Sequence, residues 1–398
     1  MLNLKILEIK VQDFVQEHLD HNLAELSLKG SPFEGIKNAE LMNQIQLKLK
    51  CKKKLPKWYK TKQILYPNKV NIEQSSSELT ANYKSKLIKG ESLVDITGGF
   101  GVDSYYFSKK IKQIIHCEIV GSLSKIASHN FKNLKATNIE TVAKDGILFL
   151  SDSTHGFDWI YIDPSRRDEA KNKRFFIEDC CPNVAQHLDL FFKRSNNILI
   201  KLSPMLDIKA ALRALPNTKE IHVVAIKNEV KELLFVLKKG FTKEVSIEAI
   251  NLNTLQPNFK FKFSEENKAL VNYRNPFKYL YEPNLAILKA GAFKTVALRF
   301  ELEKIGQHTH LYTSTKRIEN FPGEIYCINE ILPYKKGRIR KKLKGIKGNL
   351  KTRNYPQTVA KIKKDLNIID GGNQYIFFTS SETEKQVLLC SKLNPTEI

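Results

Sequence analysis

The spacing of apolar positions changes character along this chain. Over FVQEHLDHNLAELSLK (14–29) they recur at helical intervals and Gly30-Ser31-Pro32 stops them, which predicts a helix. A second helix is expected over 39–54. From about 72 to 240, short apolar runs alternate with amphipathic stretches. The runs predict strands at 92–96, 113–118, 138–143, 158–162, 197–202, 220–226 and 232–238, and stretches such as 122–134 and 176–194 predict helices between them. This is the alternation of an α/β protein with a doubly wound parallel sheet. Only KNEVKE separates the last two strands, too little for a parallel crossover, so the seven-stranded sheet should end in an antiparallel hairpin.

Beyond about 280 the pattern becomes that of small α+β units. Residues 283–300 read as one capped helix, HTHLYTS and FPGEIYCINEIL as strands, TVAKIKKDLNI as a helix, and YIFFTS and KQVLLCSKL as strands. The expected organisation is a helical region over 1–71, an α/β domain over 72–244 and α+β units over 245–330 and 331–398.

Charge adds a partner to this picture. The 398 residues carry a formal net charge of +23, with 42% hydrophobic residues, enough for real cores. The excess is not spread evenly. Residues 91–170 hold nine Lys/Arg and eleven Asp/Glu; residues 41–72 hold nine Lys and no acid; residues 331–364 hold thirteen Lys/Arg and no acid. Basic flanks around a near-neutral centre point to a polyanion, nucleic acid above all. In LPKWYKTKQILYPNKV (55–70), Trp58, Tyr59 and Tyr66 stand among four Lys, either as a surface that stacks bases or as buried rings in a wrapping loop. The six cysteines form no C-x-x-C pair, against a zinc site or a disulfide framework. No apolar run reaches the ~20 residues of a membrane span and Lys5, Glu8 and Lys10 break up the N-terminus, so a cytoplasmic, membrane-free protein is expected.

The chemistry concentrates at strand ends. Asp95 closes the first strand and leads into Thr97-Gly98-Gly99-Phe100-Gly101, where glycine lets a ligand approach the backbone. Glu118 closes the second strand, 23 residues on, the place of an acid that pairs with a ribose diol. Asp145-Gly146 follow the third strand and Asp163-Pro164 the fourth. An acid at four successive strand ends predicts a nucleotide-type cofactor. Gly99 to Ser104 nearly matches the dinucleotide fingerprint G-x-G-x-x-G/A, with Ser104 in place of the last small residue. S-adenosylmethionine has no pyrophosphate, and its ammonium group suits Asp95 and Asp103 better than a phosphate would.

These segments resemble the class I S-adenosylmethionine-dependent methyltransferases. DITGGFGVD matches their first motif, Glu118 the second, Asp145-Gly146 the third and Asp163-Pro164 the fourth. The whole chain is similar to a bacterial group of such enzymes with a helical N-terminal region, a ferredoxin-like domain and a C-terminal THUMP-like domain. IEQSSSELTANYKSKL (72–87), YEPNLAILKAGAFK (281–294) and GNLKTRNYPQTVAKIKKDL (348–366) with DGGNQYIFF carry the closer match. The resemblance implies a Rossmann-like methyltransferase sheet that binds S-adenosylmethionine through Asp95, Thr97, Gly98, Gly99, Gly101, Asp103, Glu118, Asp145 and Gly146. Ser76 and Thr80 are expected to reach the methionine end or to cap a helix.

Asp163, Pro164 and Ser165 are the expected catalytic residues. Enzymes that methylate exocyclic amines often have a second proline and an aromatic ring where this chain has Ser165 and Arg166. Arg166 and Arg167 are candidates to clamp a phosphate or stack on a base, and Lys201, Ser203 and Pro204 after the fifth strand to line the substrate pocket. Cys180 and Cys181 are expected inside an amphipathic helix, as core residues. The function implied is methylation of a tRNA or rRNA base. A protein or small-molecule substrate, or an RNA-binding protein that no longer catalyses, are the alternatives; the motifs select neither a base nor an oligomeric state.

Overall fold

The computed structural model of the protein describes residues 3–166 and 176–394. Its chain divides into two units, residues 1–218 with 235–241 and residues 219–234 with 242–398.

The first unit opens with α1 (Ile9–Glu17), α2 (Leu23–Leu28), α3 (Asn38–Lys54), α4 (Pro56–Lys60), α5 (Lys69–Gln74) and α6 (Glu78–Ser85). The single helix expected over 14–29 is two. Asn22 accepts a hydrogen bond from Ala24 N and restarts the chain as α2, the local competition that keeps Asn out of helix interiors. These helices share one apolar cluster with the domain that follows: Trp58 and Tyr66 pack with Phe100, Tyr105 and Phe131. Trp58 meets the Tyr105 ring edge-on at 4.9 Å. Two buried amides hold the wrapping segment. Gln44 exchanges hydrogen bonds with the backbone of Tyr66, and Asn130 does the same for Leu65. Trp58 and Tyr66 are thus core residues, unavailable for stacking on bases.

Five parallel strands follow: β1 (Ser92–Asp95), β2 (Gln113–Cys117), β3 (Ile139–Val142), β4 (Trp159–Ile162) and β5 (Asn197–Leu202). They alternate with α7 (Val102–Phe107), α8 (Gly121–Asn133), α9 (Gly146–Asp152), α10 (Leu188–Arg194) and α11 (Ile208–Ala214). The order is β5–β4–β1–β2–β3, so β1 is flanked by β2 and β4 and the sheet grows in opposite directions on its two sides. Such a switch point leaves a crevice at the carboxyl ends of the strands. β4 is buried along its whole length, as helices on both faces demand, and WIYI is correspondingly apolar.

Residues 176–187 depart from expectation. Only Leu188–Arg194 of the predicted helix is α-helical. Cys180–Cys181 instead pair antiparallel with Ser165–Arg166, and Pro182, which has no N–H to donate, follows at once. The predicted hairpin forms, but β6 (Thr218–Ile226) and β7 (Glu229–Lys238) are longer than expected and the loop is only Lys227-Asn228, both at positive φ. A two-residue turn of that geometry matches the twist of the strands it joins. The last four residues of β7 belong to the first unit, beside β5.

In the second unit β6 pairs in parallel with β8 (Ser246–Leu252), and β9 (Phe259–Lys262) adds antiparallel to β8 before α12 (Phe263–Lys268). A second sheet is built from β10 (Tyr279–Pro283), β11 (Glu303–Lys304), β12 (Tyr312–Ser314), β13 (Gly323–Pro333), β14 (Asn349–Arg353), β15 (Gln374–Ser380) and β16 (Lys385–Leu393), in the order β11–β12–β10–β13–β16–β15–β14. The helix expected over 283–300 is α13 (Leu285–Ala290) and α14 (Thr295–Arg299), because Gly291 takes φ 76° and ends the first. Basic α15 (Lys336–Leu343) precedes β14, and α16 (Val359–Leu366) crosses over to its parallel neighbour β15. Among the described residues no helix is long and apolar enough to cross a membrane.

Candidate active site

The glycine turn after β1 is shaped by what lies under it. Gly101 adopts φ 82° at the start of α7, and a Cβ there would stand 2.3 Å from the Phe131 ring. The turn is pinned from outside by Glu118, whose Oε2 accepts from Gly99 N at 2.8 Å while its Oε1 accepts from Val120 N at 2.7 Å. Gly146 permits another close approach: a Cβ on it would meet the Ile96 carbonyl oxygen at 2.3 Å. Asp145, just before it, caps α9 by accepting from Ile147 N and Leu148 N on Oδ1. Thr97 ties β1 to β4, taking a hydrogen bond from Asp163 N at 2.7 Å and giving one to Asp95.

Two buried acids sit beneath this frame. Asp95 is 1% exposed and accepts from Ser104 Oγ at 2.6 Å and Thr97 N at 3.1 Å. Burial pushes its carboxyl up to about 7, against the pull of those hydrogen bonds. His116, fully buried with Nδ1 3.0 Å from Ser104 Oγ, is pushed by burial down to about 4. Asp103 meets the opposite outcome. Burial raises its carboxyl, but the Lys84 ammonium at 3.2 Å, Lys201, and hydrogen bonds from Tyr161 and Ser76 outweigh that and hold it below the usual carboxylate range. At the end of β4, Asp163 Oδ2 is bonded to Lys201 Nζ.

A cavity of about 380 Å³ opens over these groups. It brings together Asp95, Thr97, Gly98, Gly99, Gly101, Asp103, Glu118, Asp145, Gly146, Asp163, Ser165 and Ser76 of the expected residues. Thr80 stands outside it, its hydroxyl spent on the Ser77 cap of α6. Pro164, Lys201 and Ser203 are not part of the lining either; Ser203 accepts from Met205 N in a turn. The Arg166 side chain and Arg167 lie outside the described residues. Cys180 is core, but Cys181 is exposed and lines the cavity, because the two-residue pairing with Ser165–Arg166 replaces the helix that would have buried it.

Sequence reasoning missed Lys84, Tyr161 and His116, and mistook Ser104 for a spoiled fingerprint position. His116 and Tyr161 did leave a signal, as the polar atoms inside the apolar strands QIIHC and WIYI. Lys84 left none, since only the fold brings it to Asp103.

Comparison with known proteins follows the same lines. A family profile for a ferredoxin-like domain matches residues 279–322, and one for a THUMP-like domain matches residues 323–392. A crystal structure from Porphyromonas gingivalis W83, provisionally described as a methyltransferase, is 30% identical over 99% of this chain and 100% of that one, with a TM-score of 0.87. Two weaker likenesses are an rRNA methylase from Streptococcus thermophilus (13% identical, 40% of this chain and 93% of that one, TM-score 0.30) and a Streptococcus mutans protein in complex with SAH (14%, 40% and 96%, TM-score 0.30). At that level they say nothing about this chain's activity. No match is found among curated proteins. With its Rossmann-like sheet, ferredoxin-like segment and THUMP-like C-terminus, the chain belongs to the family of the Porphyromonas gingivalis protein.

Proposed function

We propose that the protein is a class I S-adenosylmethionine-dependent methyltransferase that acts on a base of tRNA or rRNA. The observation that carries this reading is the convergence of four successive strand-end acids, Asp95, Glu118, Asp145 and Asp163, on one cavity at the switch point. The donor set suits the cofactor. Among the described residues the lining contains five carboxylates and no Lys, Arg or His, a poor seat for a pyrophosphate and a good one for an ammonium and a sulfonium. Glycine at 98, 101 and 146 lets the cavity floor pack directly on the His116 ring, the Phe131 ring and the Ile96 carbonyl, where a Cβ would clash.

When bound, the cofactor supplies an electrophilic methyl group. The chain's part is positioning. Glu118 keeps lone pairs for a ribose diol after holding Gly99 and Val120. Asp145 spends Oδ1 on α9 and offers Oδ2 to an amine. Ser76, Asp95 and Asp103 face the amino-acid end, with Thr80 supporting it through Ser77. Asp163, Pro164 and Ser165 face the methyl acceptor, with Arg166, Arg167, Lys201 and Ser203 on the substrate side. The RNA part of the reading draws on the acid-free stretch 331–364 and on the THUMP-like match.

S-adenosylmethionine, and not NAD, should raise the melting temperature, and Asp95→Ala should abolish the rise; an equal response to NAD overturns the cofactor assignment. Mass spectrometry of nucleosides from wild-type and deletion cells should show one methylated nucleoside missing. An unchanged set would favour a protein or small-molecule substrate.

A further inference from the structure

The acids of the cavity differ in what stands behind them. Lys84 is wholly buried against Asp103, and Lys201, 13% exposed, against Asp163; neither lines the cavity. Each acid therefore faces the ligand with its cation turned away from it. Asp163 is in contact with Thr97 and with Lys201, and closes the strand after which Ser165 and Cys181 continue the wall. The cavity presents five acidic side chains against two recessed lysines, and Asp163, its side chain 32% exposed, meets the ligand in a partly solvated setting where a nearby charge is still felt.

We propose that this arrangement makes the cavity select its ligand by charge, with Asp163 and Lys201 acting in opposite senses: a ligand with a positive centre beside Asp163 is held, and its uncharged counterpart is let go. The inference rests on the cofactor reading above. Methyl transfer would break the C–S bond with its electron pair left on sulfur, form a bond from the methyl carbon to a lone pair of the acceptor base, and pass a proton from that base to solvent water. The sulfur passes from cationic sulfonium to neutral thioether. The charge that Asp163 favours thus disappears on turnover, and the spent cofactor loses its hold as the product forms. Lys201 limits that hold, because its ammonium competes for the same carboxylate.

Calorimetric titration with S-adenosylhomocysteine, which has the neutral thioether, and with sinefungin, which has an ammonium-bearing carbon in its place, tests this without any methyl acceptor. Wild type should bind sinefungin about tenfold more tightly. Asp163→Asn should bring that ratio to about one or below while S-adenosylhomocysteine binding changes less than about twofold. Lys201→Met should widen the ratio, and Lys201→Arg, which keeps the charge, should leave it at the wild-type value. Melting curves of each variant report whether it is folded. Equal affinities in the wild type, or Asp163→Asn and Lys201→Met moving the ratio the same way, overturn the inference and leave the cofactor reading standing. If neither compound binds the wild type, the cofactor reading falls and the inference with it.

Discussion

Asp95 and Asp103 are eight positions apart and both buried, yet they titrate in opposite directions because only Asp103 has an ammonium at 3.2 Å. The consequences for pH are definite. The folded state keeps the Asp95 proton up to about 7, whereas the unfolded chain gives it up near 4, so Asp95 lowers stability as pH rises through that window. His116 works the other way: it is neutral down to about 4 in the fold and charges near 6.5 when unfolded, so its share of stability is lost as pH falls through that range. Urea unfolding from pH 4 to 8 should therefore show Asp95→Asn gaining on the wild type as pH rises. In the same range a cationic ligand should bind roughly tenfold better at pH 8 than at pH 6, because it meets an ionised Asp95, and Asp95→Asn should flatten that dependence in titrations. Lys84→Met should cost ~3–5 kcal/mol in urea unfolding, the penalty of a buried carboxylate stripped of its partner.

The elements around the site are held by close contacts that tolerate little added volume. Gly146→Ala places a methyl group 2.3 Å from the Ile96 carbonyl oxygen, backbone that cannot swing away, so the ends of β1 and α9 must separate. A loss of thermal stability together with cofactor binding is expected; an unchanged melting temperature would show that the two ends are not locked together. The segment between α4 and α5 is fastened by side chains rather than by secondary structure. Asn130→Ala orphans both the N–H and the C=O of Leu65 and should cost ~2–4 kcal/mol, readable by denaturant unfolding. Sequence periodicity located most of these elements to within a few residues, since a strand buried on both faces must be apolar. It failed where a single residue overrides its neighbours: Asn22 between α1 and α2, Gly291 between α13 and α14, and Pro182 in the stretch that became the cavity wall.

For the whole molecule, charge is the property that links the proposed partner to the fold. α15 buries Ile339 and Leu343 and leaves Lys336, Arg338, Arg340, Lys341 and Lys342 exposed. If phosphates meet this helix, replacing Arg338, Arg340 and Lys341 by Gln should weaken RNA binding uniformly across sequences and reduce the slope of log K against log salt by ~2–3. Binding that is insensitive to salt and to these changes would separate the basic C-terminal region from the substrate.

The sequence by itself determined the alternation of strands and helices and the chemistry of the strand ends, because buried strands demand apolar runs and a ligand site demands polar groups where those runs stop. Asp95, Glu118, Asp145 and Asp163 could be read from that alone. The tertiary structure decided what surrounds them. Folding brought Lys84 to Asp103 and Lys201 to Asp163, buried Trp58 and Tyr66 against Tyr105 and Phe131, and turned Cys181 toward the cavity. Those outcomes depend on contacts between residues far apart in the chain, and local patterns of polarity carry no record of which distant group will supply the compensating charge.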